Sequence, residues 1–126
     1  MFGDVRKNGT AIDIFEYLVR YKDIIHINLH WDGYRKKHKT SGFKYNNPKI
    51  AEGFHTIDLD WKPDEYVIYV DERVIWRTNQ AVSHRTQYII LSLEVGEWAG
   101  NIKEAELPDS AYFDYVRVYQ IPSSTD

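Results

Sequence analysis

The chain has 126 residues, with 16 basic and 19 acidic side chains and a formal net charge of −3. This length suits one domain, and the charge lacks the basic excess typical of a general nucleic-acid binder. No apolar run approaches the roughly 20 residues of a membrane-spanning helix, and the absence of cysteine excludes disulfides, thiolate metal sites and a cysteine nucleophile. The first residues lack the apolar segment of a signal peptide, so the protein is expected either to stay inside the cell or to have lost a leader.

Short stretches of alternating apolar and polar residues recur between turn signals, which is typical of an all-β sandwich or barrel. The strands are expected, in chain order, at residues 12–14, 24–31, 39–45, 54–61, 66–70, 74–76, 86–95 and 112–121. In the second strand, Ile25, Ile27 and Leu29 share one face, and His26, Asn28 and His30 share the other. Aromatic residues make up 15% of the chain, which also favours sheets.

The segment at residues 11–17 reads Ala-Ile-Asp-Ile-Phe-Glu-Tyr. In a regular strand Glu16 would point away from Asp13, because side chains alternate between faces. One β-bulge between them returns Glu16 to the face of Asp13 and sends Ile12, Ile14 and Tyr17 to the core. Two carboxyl groups on one face can carry out general acid–base catalysis, because the charge of one can raise the pKa of the other.

These residues resemble the Glu-x-Asp-x-x-Glu signature of the family 16 glycoside hydrolases, in the laminarinase-like branch. The resemblance continues through Gly-Phe-His-Thr at 53–56, the hairpin at 65–71, the run at 90–100 and the closing segment at 114–119. It covers the C-terminal half of the family's catalytic domain. It implies an antiparallel β-jelly-roll sandwich over residues 1–121, followed by a frayed tail at 122–126, and it implies completion by a second copy or by a missing N-terminal half.

By the same resemblance, Glu16 is the general acid/base and Asp13 the assisting carboxylate of a retaining endo-β-glycanase. The position of the nucleophile is Ala11, which cannot attack an anomeric carbon. The substitution is either a natural loss of catalysis or a deliberate replacement, and the chain as written is expected to be inactive. The third reading, an accidental motif on an exposed strand, is disfavoured by the matching downstream segments.

Further residues are candidate substrate contacts. His26, Asn28 and His30 either bind sugar hydroxyls or form the solvated face of a half-buried sheet. Trp31 and Trp98 are candidate stacking platforms for sugar rings. By resemblance, Ser92 and Glu94 face the cleft, although a solvated rim charge is an equal alternative for Glu94.

The resemblance implies no organic cofactor, but it matches Asp114 to an aspartate that helps to bind a structural Ca²⁺. The hairpin departs from the family pattern because Glu72 follows Asp71 where the family has glycine, and glutamate does not tolerate positive φ as glycine does. A longer or differently shaped turn is therefore expected there.

The favoured function is hydrolysis of β-1,3 or mixed β-1,3/1,4 glucans, with a sulfated galactan as an alternative polysaccharide partner and with no nucleic-acid or membrane partner. Extracellular or periplasmic action is implied by the resemblance. The alternatives are a non-catalytic polysaccharide-binding module and an engineered or truncated half-domain that assembles as an oligomer.

Overall fold

The computed structural model describes residues 9–122, so the expectations for the first eight residues and for tail residues 123–126 lie outside the described part. Two three-stranded antiparallel sheets account for the regular structure. The first sheet has β1 (Ala11–Tyr17), β2 (Ile24–Trp31) and β3 (Lys39–Asn46) in that order. The second has β4 (Ile57–Trp61), β5 (Tyr66–Val70) and β6 (Arg73–Thr78), so the all-β prediction is confirmed.

The only helical elements in residues 9–122 are three single turns of 3₁₀ helix, at Val19–Tyr21, Glu97–Ala99 and Ile102–Glu104. The first of these ends the connection from β1 to β2, and the second carries Trp98. None of the helices in this described stretch is long and apolar enough to cross a membrane.

The core lies between the two sheets and is built from their alternating apolar residues. One cluster joins Ile25 and Ile27 of β2 to Ile68 and Val70 of β5, together with Ile50. A second cluster joins Ile12 of β1, Leu29 of β2 and Tyr66 of β5, and all three of these residues are fully buried. Because the odd-numbered residues of β2 enter the core, its even-numbered residues lie on the opposite face of the first sheet.

The turn between β5 and β6, which was predicted to be longer or differently shaped, is not longer. Val70 pairs with Arg73, and only Asp71 and Glu72 connect the strands, with φ values of 48° and 66°. Two consecutive positive φ values give the tight turn that fits the twist of a hairpin. The Asp71 carboxylate accepts hydrogen bonds from the Thr56 backbone N–H at 3.0 Å and from His55 Nδ1 at 2.7 Å. These bonds offset the unfavourable conformation of Glu72.

The strands predicted at residues 86–95 and 112–121 are wrong as paired strands. Apart from an isolated bridge at Tyr88, neither segment joins a ladder within residues 9–122. A strand needs a neighbour to satisfy its backbone hydrogen bonds, and neither described sheet offers these segments one. Their apolar side chains are therefore exposed, including Leu93, Val95, Val118 and Tyr119.

Candidate active site

A β-bulge in β1 organises the candidate site. Ala11 pairs with His30 of β2 and Asp13 with Asn28, and then the register shifts so that Glu16 pairs with His26. Two residues of β1 oppose one residue of β2 between these pairs, which confirms the predicted bulge. The bulge places Asp13 and Glu16 on one face of the sheet, beside the even-numbered polar residues of β2.

Glu16 is half-buried on this face and is held by Asn28. The amide Nδ2 of Asn28 donates a hydrogen bond to Glu16 Oε2 at 2.6 Å. Burial raises the pKa of Glu16 above its ordinary value, the Asn28 bond lowers it in part, and the charges of Asp13 and Glu94 raise it further. Glu16 therefore keeps its proton to a higher pH than a solvated glutamate does, as a general acid must.

Asp13 is linked to a pair of stacked histidines. Its Oδ2 lies 3.2 Å from His30 Nε2, and His30 Nδ1 lies 2.9 Å from His38 Nε2. The two imidazole rings stack with their centroids 5.1 Å apart, and Tyr34 packs beside both. Burial raises the pKa of Asp13, while the interaction with His30 acts in the opposite direction. The Asp13 carboxylate is thus oriented by His30 of β2, which in turn contacts His38 of the loop that follows.

Ala11 lies on the same strand, opposite His30, and only 1% of its surface is exposed. A methyl group supplies neither a nucleophile nor a base, so Ala11 adds no carboxyl group to those of Asp13 and Glu16 on this face. Any covalent chemistry of the retaining type needs a carboxylate at about 5–5.5 Å from the acid/base, and Ala11 does not provide one.

A cavity of about 320 Å³ lies on this face beside Asn28, which binds Glu16, and beside His26, which pairs with Glu16. Its lining includes Tyr21, His26, Asn28, Gly42, Lys44 and Trp98. His26 is only 5% exposed because the rings of Tyr21 and Trp98 cover it, with centroids 5.7 and 5.4 Å away. Trp98 itself is 50% exposed. The cavity thus combines an aromatic wall with polar atoms from two strands.

Other predicted site residues are not brought to this face. Trp31 shares the core face of β2 and packs against the cluster of Ile12, Leu29 and Tyr66. Ser92 is exposed in a segment that forms no strand, and so is Glu94, although the charge of Glu94 reaches Glu16. Asp13, Glu16, Asn28, His26, His30 and Trp98 do come together.

Sequence reasoning missed four residues of the site: Tyr21, His38, Gly42 and Lys44. Gly42 and Lys44 stand opposite Asn28 and His26 on β3, so the pairing of β2 with β3 puts them on the polar face. The sequence alone does not set that register, because residues 32–38 join the two strands in place of a two-residue turn. His38 belongs to the basic run Arg-Lys-Lys-His-Lys at residues 35–39, and nothing in its spacing indicates that its ring stacks on His30.

The residues present do not fit the implied Ca²⁺. Asp114 is exposed, and no group of three or more histidine, aspartate or glutamate side chains in residues 9–122 is placed to hold a metal ion. A calcium shell requires six to eight oxygen ligands, which Asp114 alone does not approach.

A model of glycosyl hydrolases family 16 matches residues 2–117. The chain belongs to this family. It is 26% identical over 129 residues to a beta-glucanase of Rhodothermus marinus, a match that covers 90% of this chain and 45% of that protein. It is 29% identical over 73 residues to a beta-glucanase of Acetivibrio thermocellus, covering 55% of this chain and 22% of that protein. The chain thus spans less than half the length of these family 16 relatives, and no solved structure matches it significantly.

Proposed function

We propose that this chain forms the acid/base side of a cleft for β-1,3 or mixed β-1,3/1,4 glucans. The observation that supports this most directly is the bulge in β1, which puts Asp13 and Glu16 on one face and leaves Glu16 bound by Asn28. The raised pKa of Glu16 suits a group that must donate a proton. The two relatives named as beta-glucanases point to the same class of polysaccharide.

In this proposal Glu16 protonates the glycosidic oxygen of the leaving sugar and afterwards, as a carboxylate, takes a proton from water. The charge of Asp13 helps to keep Glu16 protonated, and His30 orients Asp13. The remaining step of the retaining mechanism is attack on the anomeric carbon by a second carboxylate. Ala11 occupies that position, so we expect no hydrolysis by the chain as written.

The experiment is to restore the carboxylate with Ala11→Glu and to use Ala11→Gln as its matched control. Reducing ends are measured on laminarin, lichenan, agarose and carrageenan for both variants and for the unmodified chain. We expect release only by Ala11→Glu, and only on laminarin or lichenan. Release from carrageenan would instead indicate a sulfated galactan. A folded Ala11→Glu variant with no product on any polymer would contradict the hydrolase proposal.

A polysaccharide-binding module is the second candidate, and the half-exposed Trp98 beside the cavity favours it. Affinity electrophoresis in laminarin gels measures binding without any need for catalysis. We expect Trp98→Ala to migrate freely, while Tyr112→Ala, which removes an exposed aromatic ring outside the cavity, is retained like the unmodified chain. Retention by laminarin together with an inactive Ala11→Glu variant would favour the binding module over the enzyme.

The exposed apolar segments at 86–95 and 112–121 support a further part of the proposal. Exposed apolar segments of this kind favour association, so we infer that they are covered by a second copy or by a segment corresponding to the family's N-terminal half. Light scattering after size-exclusion chromatography tests this, since a monodisperse monomer that unfolds cooperatively would contradict it.

Polymeric glucans also imply an extracellular or periplasmic site of action.

A further inference from the structure

The two stacked histidines beside Asp13 form a chain of ring nitrogens whose protons depend on one another. Asp13 Oδ2 lies 3.2 Å from His30 Nε2, and His30 Nδ1 lies 2.9 Å from His38 Nε2. A neutral imidazole has one proton for two nitrogens, so the nitrogen that donates leaves the other as an acceptor. The two facing nitrogens of His30 and His38 need one proton between them, because two lone pairs repel each other and two N–H groups collide.

For two neutral rings, this rule leaves two arrangements. In the first, His38 Nε2 donates to His30 Nδ1, and His30 Nε2 donates to an ionised Asp13. In the second, His30 Nδ1 donates to His38, and a lone pair on His30 Nε2 faces Asp13, which requires Asp13 to be protonated. The interaction with His30 lowers the pKa of Asp13 against the effect of burial. It therefore favours the ionised carboxylate of the first arrangement.

His38 is the solvent end of this chain. It is exposed in the connection between β2 and β3, whereas His30 is half-buried in β2. The backbone N–H of His38 donates to the Arg35 carbonyl at 2.9 Å, and its ring packs against the rings of His30 and Tyr34. These contacts hold the ring where its Nε2 meets His30. A hydrogen bond accepted at one nitrogen of a ring polarises it and strengthens the bond that the other nitrogen donates.

We propose that His38 is a positioning residue, which donates from Nε2 and so keeps His30 in the tautomer that donates to Asp13. Asp13 is thereby held as a carboxylate on the face that carries Glu16. The importance of His38 for catalysis rests on the proposed acid/base function of Glu16, whereas the tautomers can be measured without any substrate. The proposal gives a role in the site to a residue of the loop after β2, outside the strand that carries the carboxyl groups.

The first test is the tautomer of each ring in the full, unmodified chain, labelled with ¹⁵N at histidine. Long-range ¹H–¹⁵N spectra are recorded at a pH of about 8.5, above the ordinary pKa of histidine. We expect the Nε2–H tautomer at both His30 and His38, with the Nε2 proton of His30 shifted downfield because it donates to a carboxylate. An Nδ1–H tautomer at either ring would overturn the proposal.

The second test removes the donor and then replaces it. His38→Phe keeps a stacking ring without a donor, and His38→Gln supplies a side-chain amide donor. The matched control is His84→Phe, the same change at an exposed histidine outside the site. We expect the Nε2 proton of His30 to move upfield in His38→Phe and to return in His38→Gln. A His30 signal that is unchanged in a folded His38→Phe variant would contradict the proposal, and the spectra of the unmodified chain decide it where a variant fails to fold.

Kinetics in the Ala11→Glu background give a further readout. We expect His38→Phe to lower kcat about 3- to 10-fold with KM unchanged, and His84→Phe to change neither. An equal loss in both histidine variants would contradict the positioning role. An inactive Ala11→Glu variant would contradict the proposed hydrolysis, whereas the tautomer spectra would still decide the role of His38.

Discussion

Gly42 controls the contact between Asn28 and Glu16. A Cβ atom added at Gly42 would lie 2.4 Å from Asn28 Oδ1 and 2.8 Å from the backbone oxygen of Ile27. Both distances are below any ordinary van der Waals contact. In Gly42→Ala either the Asn28 side chain or the strand backbone must therefore move, and the Nδ2 atom of Asn28 is the donor that holds Glu16 Oε2 at 2.6 Å. We predict that this substitution on β3 alters the environment of the Glu16 carboxyl group on β1.

The loss of stability in Gly42→Ala can arise in two ways, and only one of them applies at a time. Either the strands absorb the overlap, at the roughly 1–3 kcal/mol typical of overpacking, or Asn28 rotates and the bond to the Glu16 carboxylate is lost, at about 1.5–3 kcal/mol. Glu16 is half-buried, so the lower part of the second range applies. We expect the free energy of unfolding to fall by about 2 kcal/mol relative to the control, and the pKa of Glu16 to rise further because its carboxylate loses a donor.

Gly96→Ala is the matched control, because a Cβ there meets nothing within 4 Å and its φ of −156° suits any residue. Both substitutions restrict the unfolded chain equally, so that contribution cancels. Urea denaturation followed by circular dichroism gives the stability difference, and ¹³C NMR of the Glu16 carboxyl carbon gives its titration. If Gly42→Ala matched Gly96→Ala in stability and left the titration of Glu16 unchanged, the positioning argument would be wrong.

Two other predictions concern the core and the hairpin. Ile68→Ala, at a fully buried site, should lower the free energy of unfolding by about 2–5 kcal/mol. Val19→Ala, at a residue that is 60% exposed, should change it by less than about 0.5 kcal/mol, and equal urea midpoints would contradict the assignment of the core. Asp71 raises the pKa of His55 by hydrogen bonding. The stabilisation by the His55–Asp71 pair is therefore complete below the unfolded-state pKa of His55, and it is lost as the pH rises through the raised folded-state pKa. Asp71→Asn should therefore flatten the fall in thermal stability across neutral pH, and an unaltered pH profile would refute the pairing.

The sequence was sufficient to predict the bulged strand and the core of the first sheet. Strict alternation in β2 put Ile25, Ile27 and Leu29 in the core, and all three are fully buried. The spacing of Asp13 and Glu16 admitted one bulge between them, and the pairing shows it. These predictions depended on local periodicity, which pairing with a neighbouring strand preserves.

Features that depend on distant contacts were not predictable in this way. His26 is buried because Tyr21 and Trp98 cover it from a connecting turn and from a segment 72 positions later in the chain. The Asp71 side chain in the tight turn is bound by the Thr56 backbone and the His55 ring. Turn preferences consider only the residues of the turn itself, so they do not predict these bonds. The apolar runs at 86–95 and 112–121 have strand composition, but composition alone does not supply a hydrogen-bonding neighbour.

Because of the bulge, β1 can change in length by one residue while its two carboxyl groups still face the same side of the sheet. Deleting Phe15, a residue that is 41% exposed, would leave Ala-Ile-Asp-Ile-Glu, in which regular alternation again puts both acidic residues on one side. One residue can therefore be gained or lost here while both acidic residues stay on the same face of the sheet. In a regular strand, a one-residue insertion moves the following side chains to the opposite face. Relatives with either spacing would be related by one such event rather than by a rebuilt site.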